Sequence, residues 1–217
     1  MAELDCVIFD FDGTVADTGE GIIKSLQYSF EKMGREIPDM SDLKRFIGPP
    51  VHYSYTHFYG VSEDEVETYI RKYRERYKEK GIYECRVYDG MRELLCELKS
   101  RGVKLGIASS KPEHLIYSVA DYLMITDMFD AIVGVKSDNS RHSTKKDIIL
   151  EAMEKLGASE KEKVLMVGDR CFDIDGAAEA GVKSCGALWG YGDKEEFLRH
   201  NADMMAENPL DVLNFVK

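Results

Sequence analysis

The sequence has too few basic residues to balance its acidic ones, and this shortage bears on its partners. Its 29 Lys and Arg residues face 40 Asp and Glu residues, which leaves a formal net charge of −11 over 217 residues. A protein that binds the nucleic-acid backbone needs a basic face, so we expect no nucleic-acid polymer as a partner. A small phosphorylated ligand remains compatible with this charge, because a bound metal ion reverses the local field.

Long apolar runs and paired cysteines are also lacking. No stretch approaches the roughly 20 apolar residues that span a bilayer, so we expect no membrane association. The five cysteines are odd in number and contain no C-x-x-C pair, which argues against a disulfide framework or a zinc site. The first residues contain no basic segment followed by an apolar one, so no signal peptide is expected. These absences together predict a cytoplasmic protein.

Three common catalytic or nucleotide-binding motifs are missing. The sequence contains no G-x-x-x-x-G-K-[ST], no G-x-G-x-x-G after a strand and no G-x-S-x-G. Their absence weighs against nucleoside-triphosphate hydrolysis by a P-loop, against dinucleotide binding and against serine hydrolysis.

The hydrophobic pattern predicts an α/β protein with an all-helical insertion. From residue 15 to about 84 the apolar spacing is helical and no convincing strand occurs, whereas beyond residue 88 helices and strands alternate. Such alternation is typical of a parallel sheet with helices on both faces. Predicted strands cover residues 6–9, 103–108, 129–133, 164–167 and 183–188, and predicted helices cover 21–33, 61–79, 91–101, 112–122, 145–156 and 177–180, followed by two acidic helices.

Polar clusters follow three of the predicted strands, at residues 10–14, 109–111 and 168–173. In parallel α/β sheets, ligands bind outside the carboxyl ends of the strands. We therefore expect these three clusters to form one site.

Asp10 and Asp12 are the most informative residues of that site. Strand alternation places both carboxylates on one side, where they repel by roughly 4 kcal/mol at an effective dielectric constant near 20. A cation between them, or a proton on one, relieves this repulsion. With Asp169 and Asp173 they form an oxygen-only ligand set that suits Mg²⁺.

A carboxylate nucleophile, an acid/base two residues on, a metal and a cationic side chain suit phosphoryl transfer. Asp10 would attack phosphorus and Asp12 would move the proton, while Lys145 would offset charge at the start of a helix. Ser109 and Ser110 would bind an anionic oxygen, or would simply cap the helix that follows their strand.

These residues resemble the motifs of the phosphatase branch of the haloacid dehalogenase superfamily. Its first motif, D-x-D-G-T, stands at residues 10–14, its second matches Ser109, its third is a Lys, and its fourth, G-D-x-x-x-D, stands at 168–173. The resemblance implies a Rossmann-like core of residues 1–15 and 85–217, with residues 16–84 inserted as a helical cap. Segments of the chain also resemble phosphoglycolate phosphatases and 5′-nucleotidases of this family.

The resemblance also implies roles for individual residues. Asp10 would be the nucleophile and Asp12 the acid/base, with its backbone carbonyl on Mg²⁺. Asp169 would bind Mg²⁺ directly and Asp173 would orient metal-bound water, while Lys145, or else Lys146 or Arg141, would fill the third motif. The expected contacts to the phosphate are Phe11, Gly13, Thr14, Ser110, Lys111 and Arg141.

The leading hypothesis is a Mg²⁺-dependent phosphatase of small phosphomonoesters, similar to phosphoglycolate phosphatases, that forms an aspartyl-phosphate. Its partner would be a small phosphorylated metabolite, and the protein would be a monomer or a weak homodimer. The alternatives are a 5′-nucleotidase and a phosphoryl transferase resembling β-phosphoglucomutase. A non-catalytic binding module is disfavoured, because every motif position is filled.

Overall fold

The computed structural model describes residues 4–136 and 144–216, and a six-stranded sheet forms its centre. Among the described residues there are eight strands, six in this sheet and two in a separate antiparallel pair. The strands are β1 (Cys6–Phe9), β2 (Ala16–Asp17), β3 (Arg86–Val87), β4 (Lys104–Pro112), β5 (Ala131–Val135), β6 (Val164–Gly168), β7 (Lys183–Ala187) and β8 (Met204–Ala206).

The large sheet is parallel throughout, and its strands lie in the order β5-β4-β1-β6-β7-β8. Numbered within this sheet alone, the order is 3-2-1-4-5-6, the doubly wound order of Rossmann-like proteins. The predicted fold class is therefore confirmed. The strand order reverses between β1 and β6, and ligands in such folds bind at this switch point.

The central strand β1 is buried on both faces, as its unbroken apolar run predicts. Cys6 and Ile8 pack on one face with the helices that follow β5 and β6. Val7 and Phe9 pack on the other face, in a cluster that continues into the inserted helices. The helices of this part of the chain are α5 (Met91–Ser100), α6 (Glu113–Tyr122), α7 (Lys145–Leu156), α8 (Cys171–Ala180) and α9 (Lys194–Arg199).

Helices alone occupy the segment between β2 and β3. They are α1 (Gly19–Lys32), α2 (Met40–Lys44), α3 (Val51–Tyr59) and α4 (Glu63–Glu79), with a short 3₁₀ turn at Gly81–Tyr83. Aromatic rings fill the space between them: Phe30 lies 5.8 Å from Tyr55 and 5.4 Å from Tyr69, measured between ring centroids. The short strands β2 and β3, where the chain enters and leaves this segment, pair with each other.

Several elements differ from their predicted bounds. β4 continues to Pro112, because the residues past Ala108 pair with β5 after a shift in register. Helix α8 begins at Cys171 rather than at residue 177, β8 was not predicted, and the last predicted helix is a 3₁₀ turn at Pro209–Asn214. No helix within the described ranges combines the length and the apolar character needed to cross a membrane.

Candidate active site

The residues after β1 form a tight turn at the switch point of the sheet, and this turn brings Asp10 and Gly13 close to β6 and Asp169. The Asp10 backbone N–H donates to the Val167 carbonyl at 2.8 Å, which continues the pairing with β6 by one residue. Gly13 then adopts a φ of +85°, and a Cβ atom at this position would lie 2.2 Å from Asp169 Oδ2. Only glycine allows both the left-handed turn and this close approach.

Three buried carboxylates meet at this point. Oxygen atoms of Asp10, Asp169 and Asp173 all lie within 4.8 Å of one another. Burial raises the pKa of Asp10 to about 6, with Lys145 opposing the shift and Asp173 adding to it. Burial also raises the pKa of Asp169 well above its usual value, and repulsion from Asp173 and Asp10 adds to this effect. These side chains therefore form an electronegative centre that is shielded from water.

Lys145 supplies the cation of this centre. Its Nζ lies 2.7 Å from Asp10 Oδ1 and 2.6 Å from Asp173 Oδ1. Burial by itself lowers the pKa of Lys145, but the attraction of the two carboxylates outweighs this and raises it. Lys145 begins α7, whose capping residue Thr144 fixes the first turn.

The three candidates for the third motif thus have different outcomes. Lys145 reaches the carboxylates from the first position of α7. Lys146 follows it on the same helix, and the structure places Lys145, not Lys146, against Asp10 and Asp173. Arg141, which was also predicted to contact the phosphate, lies outside the described residues.

Asp12 faces a second set of partners. Both of its carboxylate oxygens accept from Lys111 Nζ, at 2.9 and 3.0 Å, and Oδ1 also accepts from the Thr18 hydroxyl at 2.6 Å. The Asp12 carboxylate is therefore not a member of the three-carboxylate cluster, and only its backbone carbonyl stays a predicted metal ligand. Lys111, predicted to contact the phosphate, is placed on Asp12 instead.

Tyr77, from the inserted helix α4, completes this second group. Its hydroxyl lies 2.7 Å from Lys111 Nζ, and the same ammonium group lies 4.6 Å from the centre of the Tyr77 ring. No motif in the sequence marks Tyr77 as part of the site. The apolar spacing of the tyrosines in α4 indicates core packing, and it carries no sign of a polar contact across the chain.

Two neutral groups donate hydrogen bonds to Asp169. The Thr14 hydroxyl donates to Oδ1 at 3.1 Å, and the Tyr191 backbone N–H donates to Oδ2 at 2.9 Å. The Trp189 indole N–H in turn donates to the Thr14 carbonyl at 2.9 Å, so the loop after β7 holds the turn after β1. Thr14 was predicted to contact the phosphate, but its hydroxyl bonds to Asp169. The Thr14 hydroxyl and the Tyr191 N–H carry no net charge, so these two donors stabilise the Asp169 carboxylate by hydrogen bonding alone.

The remaining predicted phosphate contacts lie around these groups. Ser109 is buried, and its Oγ accepts from the Lys111 backbone N–H at 3.4 Å. Ser110 lines a cavity beside Asp12. The Phe11 side chain is fully buried in the hydrophobic core, which leaves only its backbone to contact a ligand.

A divalent cation fits the three-carboxylate cluster. Its donors are all oxygens, which suits Mg²⁺. When Asp10, Asp169 and Asp173 are ionised they carry three negative charges, of which Lys145 offsets one. The two charges that remain match a divalent ion, and Asp10, Asp169 and Asp173 are the residues that would hold it.

The cavity beside Asp12 lies where the inserted helices meet the sheet. Its polar lining consists of Asp12, Ser110, Lys111 and Arg74. Its apolar walls come mainly from the insertion, through Ile22, Leu26, Phe46, Pro49, Pro50, Val51, Tyr73 and Tyr77, and from Pro112 and Leu115. A ligand in this cavity would contact Asp12 on one side and apolar side chains on the others.

Taken together, the fold and these contacts define a doubly wound α/β enzyme with its acidic site at the switch point. The family model described as haloacid dehalogenase-like hydrolase matches residues 7–187. The chain belongs to this family.

Individual relatives agree with this assignment. The chain is 37% identical over 194 residues to a 5′-nucleotidase of Pseudomonas aeruginosa, covering 89% of this chain and 87% of the relative. It is 32% identical over 186 residues to a phosphoglycolate phosphatase of Aquifex aeolicus, covering 85% of each. The crystal structure of a predicted phosphatase from Clostridium acetobutylicum superposes with a TM-score of 0.91 at 37% identity, covering 98% of this chain and 97% of that one. The predicted enzyme class, a phosphoric monoester hydrolase, is confirmed.

Proposed function

We propose that this protein is a Mg²⁺-dependent phosphatase that hydrolyses small phosphomonoesters through an aspartyl-phosphate on Asp10. The observation that carries the proposal is the Asp10 carboxylate, which lies 2.7 Å from the Lys145 ammonium and shares a buried cluster with Asp169 and Asp173. A dianionic phosphate approaches an anionic nucleophile only where positive charge is fixed in place. Lys145 and a divalent ion on the three carboxylates would supply that charge.

In the first step, a carboxylate oxygen of Asp10 forms a bond to phosphorus while the bond from phosphorus to the leaving oxygen breaks. Lys145, bound to Asp10 Oδ1, fixes the orientation of the nucleophile. Protonated Asp12 gives its proton to the leaving oxygen, so that the alcohol departs neutral. When bound, Mg²⁺ would supply positive charge beside the transferred phosphoryl group.

In the second step, Asp12 takes a proton from a water molecule whose oxygen attacks the phosphorus of the aspartyl-phosphate. Inorganic phosphate leaves and the Asp10 carboxylate is restored. Lys111 binds both oxygens of Asp12 in the structure. Asp12 must therefore exchange at least one of these contacts for the leaving oxygen during turnover.

Residues 16–84 would act as a cap that selects the leaving group, because the apolar walls of the cavity beside Asp12 come mainly from this segment. The two named relatives differ in substrate, one being a 5′-nucleotidase and the other a phosphoglycolate phosphatase. We propose a small phosphomonoester of the phosphoglycolate type as substrate, with a nucleoside 5′-monophosphate as the alternative.

Phosphate release provides the test. We expect the protein to release phosphate from an aryl phosphate in the presence of Mg²⁺ and not in EDTA. A panel of phosphorylated metabolites, assayed as substrates under the same conditions, would then be compared by catalytic efficiency. Asp10→Asn should lose activity by several orders of magnitude, whereas Asp5→Asn, an exposed acid at the other end of β1, should keep it. Activity that persists in Asp10→Asn would refute Asp10 as the nucleophile. A requirement for a sugar bisphosphate would indicate the mutase instead.

A further inference from the structure

Arg170 lies between Asp169 and Asp173 in sequence, but its guanidinium contacts the inserted segment. One terminal nitrogen donates to the Ile47 backbone carbonyl at 3.0 Å, and Nε donates to Glu196 Oε1 at 3.2 Å. The side chains of Arg170 and Glu196 are 14% and 15% exposed, so this ion pair is largely removed from solvent. The hydrolytic steps above do not use Arg170.

Glu196, on α9, fixes the orientation of the Arg170 guanidinium. The same carboxylate oxygen that binds Arg170 also accepts from the Cys171 backbone N–H at 2.7 Å, at the start of α8. The Arg170 backbone N–H donates to Asp173 Oδ2 at 3.0 Å. Because a guanidinium presents its donors in a rigid fork, an acceptor on one side determines where the other donors point.

The cap segment 46–50 lies close against this side chain. Gly48 has a φ of +100°, and a Cβ atom there would lie 2.8 Å from Arg170 Cγ. Ile47, whose carbonyl accepts from Arg170, is fully buried. The rings of Tyr53 and Phe172 meet edge to face across the same junction, with centroids 6.0 Å apart. The backbone of residues 47 and 48 thus packs directly against the Arg170 side chain, and a side chain at position 48 would prevent this contact.

Segment 46–50 also forms part of the cavity beside Asp12. Phe46, Gly48, Pro49 and Pro50 all line it. The position of this wall therefore depends on the contact between Arg170 and Ile47. Arg170 lies between Asp169, which follows β6, and Asp173, which is on α8.

We propose that Arg170 is a positioning residue for leaving-group recognition, which holds segment 46–50 against the sheet so that the cavity beside Asp12 has a fixed wall. The inference rests on the proposed function, because the cavity receives the leaving group only if Asp12 is the proton donor. It assigns to Arg170 an effect on substrate affinity rather than on the metal or on the chemical step.

The test compares Arg170→Met with Arg170→Lys, and uses Arg199→Met, an exposed arginine on α9, as the matched control. With an aryl phosphate, Arg170→Met should raise KM about tenfold or more through loss of charge-assisted hydrogen bonds, with kcat within about threefold of the parent. The Mg²⁺ concentration for half-maximal activity should change less than about twofold. The KM of Arg170→Lys should lie between those of the parent protein and Arg170→Met, because one ammonium group reaches fewer acceptors than a guanidinium in this geometry.

A second measurement is independent of catalysis. Hydrogen–deuterium exchange of peptides covering residues 46–51 should be faster in Arg170→Met and unchanged in Arg199→Met, because the wall opens more often without its anchor. Unchanged exchange, or a fall in kcat and a changed Mg²⁺ requirement at constant KM, would overturn the positioning role. Absence of phosphate release by the parent protein would instead refute the proposed function, and with it the role in leaving-group recognition, whereas exchange would still decide whether Arg170 holds segment 46–50 against the sheet.

Discussion

Replacing Lys145 with Met should destabilise the protein in the absence of divalent ions. The Lys145 side chain is 7% exposed, and its ammonium lies 2.7 Å from Asp10 and 2.6 Å from Asp173. At an effective dielectric constant of 20, each contact contributes ~6 kcal/mol of Coulomb energy. Burial of the ammonium offsets much of this, so we expect the loss typical of removing one partner from a buried ion pair, about 3–5 kcal/mol.

Thermal and urea unfolding in EDTA measure this loss. For a chain of this size, 1 kcal/mol shifts Tm by roughly 2–4 °C, so Tm should fall by about 6–20 °C. Adding Mg²⁺ should restore part of the stability, because the carboxylates regain a counter-charge. Lys146→Met, one position along the same helix, is the matched control and should change stability by less than about 0.5 kcal/mol. If Lys145→Met unfolds like the parent protein in EDTA, the reasoning about uncompensated charge is wrong.

The destabilisation caused by Lys145→Met should also depend on pH. Burial raises the pKa of Asp10 from its ordinary 3.8 to about 6 in the folded protein. The attraction of Lys145 opposes this shift, and the repulsion from Asp173 adds to it. The protonated carboxyl therefore contributes stability that is complete below pH 3.8 and is lost as pH rises through about 6. The destabilisation of Lys145→Met in EDTA should thus be smaller at pH 5 than at pH 8. An equal loss at both values would contradict this sign.

Substitutions at four further positions test other parts of the structure. Tyr59→Phe should leave the free energy of unfolding unchanged or raise it by about 1 kcal/mol, since this hydroxyl is buried with no hydrogen-bond partner among the described residues. Tyr55→Phe should lower it by about 1 kcal/mol through loss of a 2.5 Å bond to a serine hydroxyl; equal urea midpoints for the two variants would contradict this difference. Gly13→Ala should abolish phosphate release, because the added Cβ would lie 2.2 Å from Asp169 Oδ2, and a variant with full kcat would refute the packing argument. Thr144→Ala should cost about 1 kcal/mol of stability by removing the cap of α7, and Thr144→Ser should recover most of it in the same unfolding assay.

Local signals were sufficient where a sequence segment determines its own structure. The bounds of α7 follow from apolar spacing and from Gly157, which ends the helix in the left-handed conformation. The meeting of Asp10 with Asp169 follows from a more general rule, because parallel strands bring their carboxyl ends to one edge of the sheet. The predictions for both needed no knowledge of distant contacts.

Other features depend on long-range packing and could not be predicted. Helix α3 follows two prolines and is only nine residues long, and its stability comes from aromatic contacts with α1 and α4 rather than from a strong amphipathic pattern. The contact of Tyr77 with Lys111 joins residues 34 positions apart, and that of Arg170 with Ile47 joins residues 123 apart. Periodicity reports which face of a helix is buried, but it does not report which polar atom lies opposite.

Lys145 and Lys111 bind different acidic residues, and the group around Lys111 also contacts the inserted helices. Asp10 directly follows the central strand β1, while Lys145 and Asp173 lie on α7 and α8, which pack against the parallel sheet. Lys111, the partner of Asp12, instead also donates a hydrogen bond to the hydroxyl of Tyr77 on α4. A shift of the inserted helices relative to the sheet would therefore change the surroundings of the proposed proton donor while leaving the proposed nucleophile and Lys145 in place. Substitutions in the insertion should accordingly act on the leaving-group step and on affinity, rather than on the proposed attack by Asp10.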